Sequence, residues 1–309
     1  MLNRLNDAVR SHVDRGELAG AITLVSHAGK PHIETFGNLA FPGNTGSGSH
    51  GALSTAGDED SSGAQRLGDG GVMRRDSLFR VASFTKPIVA AATMMLVDSG
   101  RLFLDDPIGE LLPELAEPRV LRQPDGPLDD TVPAARPITV HDLLTFRMGL
   151  GETDHPEIRQ REEELELRTF GPPKPRSPLE PDGWIQRLGT LPLQYQPGER
   201  WQYSTGSHLL GVLIARAAGM PLEDFLRERL FEPLGMIDTG FTATDPDRLT
   251  TAYLDDEVFD TATESQWSEP PSFPDGSGGL ISTVDDFHAF TQMLLAEATE
   301  SSHPKRCGS

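Results

Sequence analysis

Apolar residues recur at helical spacing at Leu2, Leu5, Val9 and Val13, which predicts a short amphipathic first helix. The pattern then changes period. Residues 21–27 (AITLVSH) and 31–36 (PHIETF) are strand-like runs around Ala28-Gly29-Lys30, as in a β-hairpin. From 43 to 71 the chain is rich in Gly, Ser and Asp and poor in large apolar residues, the composition of a flexible surface insertion. Order returns at 76–81 (DSLFRV). It leads into SFTKPIVAAATMMLVDSG, a stretch from Ser83 that is apolar nearly all round, as a central buried helix is. Pro87 falls in its first turn, where backbone N–H groups lack intrahelical partners, and Gly100 is a suitable stop.

Further along, residues 102–112 (LFLDDPIGELL) read as a helix ending before Pro113, and 117–137 as a polar, turn-rich connection. Thr139 to Asp142 make a capping pattern before Leu143-Leu144. Residues 152–181 hold the acidic run Glu162-Glu163-Glu164 among many prolines. This reads as a solvated helix face or a lid, because consecutive carboxylates without histidine or turn geometry are weak metal ligands. Residues 206–218 (GSHLLGVLIARAA) form a buried helix, and Pro221 starts the next, PLEDFLRERLF. Ser282 to Asp285 make a capping box opening a helix with Phe287, Phe290, Leu294 and Leu295 on its inner face.

The 309-residue length suits one large or two small domains with ample core. With 47 acidic against 27 basic residues the net charge is −20, which argues against nucleic acid or an anionic membrane as partner. Charged residues interrupt the first twenty positions, so no signal-peptide core is present, and no stretch is long enough to span a membrane. The expectation is a cytoplasmic protein. Cys307 is the sole cysteine, which excludes an intrachain disulfide.

The candidate chemistry lies at Ser83-Phe84-Thr85-Lys86. A serine hydroxyl needs a base within hydrogen-bond reach. Residues three apart on a helix share a face, so Lys86 can take the Ser83 proton if the lysine is neutral, a state that burial and the positive end of a helix both favour. The same spacing fits an N-cap serine with a lysine stem lying along apolar surface. It also recurs at Ser302-His303-Pro304-Lys305, where no apolar periodicity follows. His141 and His208 suggest no Ser-His-Asp triad, since no Gly-x-Ser-x-Gly surrounds a serine, and His208 reads as a core or interface residue. No His, Cys and Asp spacing suggests zinc, and no cofactor is expected.

Context sharpens the reading. Residues 78–82 (LFRVA) precede Ser83 and 99–107 (SGRLFLDDP) follow its helix; then come 197–206 (PGERWQYSTG), 231–236 (FEPLGM) and 278–283 (GGLIST). In this order, over about residues 3–296, the chain resembles the serine β-lactamase-like superfamily: class C β-lactamases, D-alanyl-D-alanine carboxypeptidases and class VIII carboxylesterases. The resemblance implies an α+β, β-lactamase/transpeptidase-like fold, an antiparallel sheet flanked by helices plus a helical subdomain. A single domain would span 1–309, with residues 1–80 the first helix and hairpin, 81–280 mostly helical, and 281–309 the start of an incomplete C-terminal part.

The resemblance also implies roles. Ser83 would be the acylated nucleophile and Lys86 its hydrogen-bonded base partner. Tyr203 would carry the proton to the leaving group and activate the deacylating water, although a buried core tyrosine would look the same in sequence. Thr205 stands where the family has a substrate-binding asparagine. A hydroxyl offers less to a substrate amide than a carboxamide does, which leans the expectation toward small esters over β-lactams or peptides. After Leu143-Leu144, Phe146-Arg147-Met148-Gly149 replaces the His-Thr-Ser-Gly of many members. No Lys-Thr-Gly or His-x-Gly strand follows residue 295, so a truncated chain with one oxyanion donor absent is expected. The expected function is a serine hydrolase of small esters or amides, with a β-lactamase or D-alanyl-D-alanine carboxypeptidase, or a truncated non-catalytic remnant, as alternatives.

Overall fold

A computed structural model of the chain describes residues 2–27, 29–42, 71–167 and 172–301. Helix α1 spans Leu2–Asp14, and the hairpin follows as β1 (Gly20–His27) and β2 (Lys30–Gly37), antiparallel with Ile22 opposite Thr35. The insertion expected at 43–71 lies, except for Gly71, outside the described residues, as do the second Ser-x-x-Lys and Cys307.

The short strand β3 (Phe79–Arg80) leads into a single 3-10 turn at Ala82–Phe84 and then α2 (Thr85–Asp98). Ser83 therefore sits in the tight turn before the α-helix. Helix α2 is buried along one face, through Ile88, Val89, Ala92 and Leu96, while Met94 on the other side is exposed despite the apolar run. The helix expected at 102–112 is absent; 3-10 turns at Ile108–Glu110 and Pro113–Leu115 take its place. Pro107 explains the difference. It is extended, with φ −60° and ψ 126°, and proline disfavours helix at the residue before it. The Ile108 N–H then bonds the Ile138 carbonyl at 2.9 Å instead of a helical partner.

The connection at 117–137 carries an antiparallel pair, β4 (Arg119–Leu121) and β5 (Thr131–Pro133), too short for alternation to be visible in sequence. Helix α3 (Val140–Leu144) opens on the expected capping box, with Thr139 and Asp142 bonding each other's backbone N–H. Then come α4 (Pro156–Glu164), which carries the acidic run, and α5 (Pro181–Leu188). Helix α6 (Thr205–Ala218) is buried from Thr205 through Ile214 and packs on α2 and α3, forming the centre of the main core. Pro221 is extended and caps α7 (Leu222–Leu226); a π turn at Arg227–Phe231 joins it to α8 (Glu232–Leu234).

Strands β6 (Ala252–Leu254) and β7 (Glu257–Asp260) form another antiparallel pair, which the polar run at 255–257 obscures in sequence. Strand β8 (Ile281–Ser282) pairs antiparallel with β3, bringing the chain before Ser83 against residues 278–282. Helix α9 (Val284–Ser301) is capped by Thr283, whose Oγ1 accepts from the Asp286 N–H at 3.2 Å. The expected cap, Ser282, is held in β8. Phe290 is buried as expected, but Leu294 and Leu295 are 41% and 59% exposed. Leu294 lies one turn beyond Phe290 at the rim of the packed core, and Leu295 is rotated off that face. The architecture is thus α+β, with antiparallel strand pairs around packed helices, and no described helix is long and apolar enough to cross a membrane.

Candidate active site

Two hydrogen bonds of Leu280 build the site. The Val81 N–H donates to the Leu280 carbonyl at 3.0 Å, and the Leu280 N–H donates to Thr85 Oγ1 at 3.2 Å. They lock the turn carrying Ser83 beside the loop at 275–279. The 3-10 turn projects Ser83 outward, so it is exposed while Thr85 is fully buried.

Ser83, Lys86 and Tyr203 converge. Lys86 Nζ lies 3.2 Å from Ser83 Oγ, and the Tyr203 hydroxyl donates to the same Oγ at 2.8 Å. Lys86 Nζ also donates to the Ser277 carbonyl at 2.7 Å and stands 4.3 Å from the Tyr203 ring centroid. The ring is fixed from outside by Trp201, stacked at 5.9 Å, and by Phe146 at 5.6 Å. A hydroxyl thus touches both a lysine nitrogen and a phenol, the arrangement that nucleophile activation needs. The three side chains border a cavity of about 270 Å³ whose other walls include Glu152, Trp184, Phe273 and Pro173.

Thr205 does not join them. It is fully buried as the first residue of α6, its hydroxyl finds no hydrogen-bond partner among the described residues, and Ser204 borders the cavity instead. His208 does border it, one turn into α6, its ring parallel to Trp184 at 5.4 Å and to Phe273 at 6.5 Å, which themselves stack at 5.2 Å. Burial lowers the His208 pKa, against the opposing pull of Asp275. His141 is exposed on α3.

Sequence reasoning did not single out Glu152, Asp275 or Ser277. Burial raises the Glu152 pKa and the Lys86 charge opposes it. Its N–H also donates to the Tyr203 carbonyl, tying residue 152 to the segment that leads into α6. Asp275-Gly276-Ser277 had a readable signal: aspartate before Gly-Ser favours a turn closed by its own side chain. The Ser277 N–H donates to Asp275 Oδ1 at 2.7 Å in just that way. No His, Cys, Asp or Glu grouping among the described residues could hold a metal ion.

Comparison with known proteins identifies the family. The sequence profile of a family described as Beta-lactamase matches residues 5–306. Protein Rv1367c of Mycobacterium tuberculosis is 43% identical over 239 residues, covering 75% of this chain and 57% of that protein. Esterase EstB of Burkholderia gladioli is 33% identical over 251 residues, covering 72% and 59%. The solved structure of EstCE1, described as a hydrolase with promiscuous acyltransferase activity, superposes with a TM-score of 0.72 at 21% identity, over 95% of this chain and 72% of that one. The chain spans less than three fifths of the length of these curated relatives.

Proposed function

Because the chain belongs to the β-lactamase family, we propose that it is a serine hydrolase that cleaves small esters through an acyl-enzyme on Ser83. The observation that carries the proposal is the triangle of Ser83 Oγ, Lys86 Nζ and Tyr203 Oη, with Oγ within 3.2 Å of one and 2.8 Å of the other. In this reading Ser83 Oγ attacks the ester carbonyl carbon and its proton passes to the Lys86–Tyr203 pair. The Tyr203 hydroxyl then protonates the departing alkoxide, leaving the acyl group on Ser83. For deacylation the Lys86–Tyr203 pair takes a proton from water, the hydroxide attacks the acyl carbon, and the pair returns the proton to Ser83 Oγ as the acyl–oxygen bond breaks. The first transfer, from Ser83, runs between groups already in hydrogen-bond contact.

The esterase preference draws support from EstB, an esterase by name. Thr205 is buried away from the cavity, and the preference rests on the absence of a side-chain carboxamide at that place. The test is kcat/KM on a p-nitrophenyl ester beside a chromogenic cephalosporin. The ester should be favoured; a preference for the cephalosporin would overturn the esterase assignment.

A further inference from the structure

The Ser277 carbonyl is the acceptor that fixes the direction of the Lys86 amine. A neutral lysine has one lone pair. If an N–H is held on the Ser277 oxygen, 2.7 Å away, the lone pair can face Ser83 Oγ. The placing of that carbonyl therefore governs the base, and its placing is controlled from behind. Asp275 Oδ1 accepts from the Ser277 N–H at 2.7 Å, and Oδ2 accepts from Ser277 Oγ at 3.0 Å. The serine hydroxyl has one proton and gives it to the carboxylate. The same oxygen lies 3.0 Å from His208 Nε2, so the hydroxyl is shared between the carboxylate and the imidazole, and in the Nε2–H tautomer the ring donates to it. The same Nε2 lies 3.5 Å from Asp275 Oδ1.

The anchor is rigid. His208 is 5% exposed, stands in the buried part of α6 and is stacked on Trp184. The loop sits directly on the helix at Gly276: a Cβ there would approach the Ser207 carbonyl oxygen to 2.7 Å and the Gly211 Cα to 3.3 Å. At neutral pH the lowered pKa keeps the ring neutral, the form in which a single tautomer can be held.

We propose that His208 and Asp275 are positioning residues, a buried clamp that holds the Ser277 carbonyl where it aims Lys86 at Ser83. The proposal rests on the reading of Ser83 as nucleophile and extends it to residues that do not touch the reacting atoms.

The test measures the rate of covalent labelling by a fluorophosphonate, by intact mass, together with thermal unfolding of the 309-residue chain. His208→Leu removes the donor and should slow labelling by about 10- to 100-fold, the scale of a misplaced catalytic group. His208→Gln keeps a neutral N–H donor and should recover most of that loss. In a Lys86→Ala background His208→Leu should cost nothing further, because the clamp acts through the lysine. A purely structural histidine would instead lower the melting temperature and slow labelling in both backgrounds. Asp275→Asn, which preserves shape but withdraws an acceptor, should slow labelling about tenfold and decides the matter if His208→Leu fails to fold. Labelling by His208→Leu within about twofold of wild type, or equal loss in the Leu and Gln variants, would overturn the clamp. If Ser83→Ala still labels, the nucleophile assignment fails instead, and the two failures are told apart.

Discussion

Replacing Tyr203 by phenylalanine separates a proton carrier from a packing residue. The perturbation removes one oxygen. In the structure that oxygen makes one hydrogen bond, to Ser83 Oγ at 2.8 Å. The ring contacts all survive: Lys86 at 4.3 Å, Phe146 at 5.6 Å and Trp201 at 5.9 Å. A half-buried hydrogen bond contributes about 0.5–1.5 kcal/mol, so the melting temperature should fall by no more than about 3 °C. Used only to hold Ser83, the same bond would account for a rate loss of about tenfold at most. A positioned proton donor and acceptor contributes about 10²- to 10⁴-fold. The two roles therefore differ by at least an order of magnitude. Ester hydrolysis by Tyr203→Phe should fall at least about 100-fold in kcat, or about 2.7 kcal/mol of barrier, with KM little changed. Turnover within about fivefold of wild type would refute the assignment and return Tyr203 to a packing role.

Two further predictions concern the frame around the site. Arg80 and Asp260 form an ion pair with side chains only 8% and 3% exposed, beside Ser265 and the Trp267 ring. Asp260→Ala strands that guanidinium and should cost about 3–5 kcal/mol in denaturant unfolding; a loss under about 1 kcal/mol would contradict the pairing. At Asp142 burial pushes the carboxyl pKa up, but Arg136 and the Thr139 N–H and hydroxyl outweigh it and hold the pKa below the usual range. A depressed carboxylate stabilises the fold above its unfolded pKa of about 3.9, and that contribution is lost as pH falls through the folded value. The melting-temperature gap between wild type and Asp142→Asn should accordingly be widest at neutral pH and close in acid; a gap independent of pH would count against this.

Where one element carried its own pattern, the sequence was legible. The all-round apolar run of α2, the small and aliphatic residues of α6, the Thr139–Asp142 box and the hairpin turn all specify local structure without help from elsewhere. What could not be read depended on distant chain segments. Residues 102–112 have helical periodicity, but Pro107 and the Ile138 carbonyl, thirty positions on from Ile108, impose another path. Strands of two to four residues, such as β3 and β8, exist because a partner lies beside them. In the site, Ser83 and Lys86 were visible through spacing and Tyr203 only through collinear motifs. His208 looked like core because its whole helix does. Its bond to Ser277 joins residues 69 apart. Thr205 was placed on substrate by position in a motif, whereas the start of α6 turns it inward.

The central claim is that Ser83 forms the covalent intermediate, and the direct measurement is intact mass after incubation with a fluorophosphonate, on the wild-type chain and on Ser83→Ala. A single adduct is expected on the wild type, mapped by peptide digestion to Ser83, and none on the variant, with the two chains melting alike. An adduct of the same yield on Ser83→Ala, or one mapped to another serine in the wild type, would contradict it.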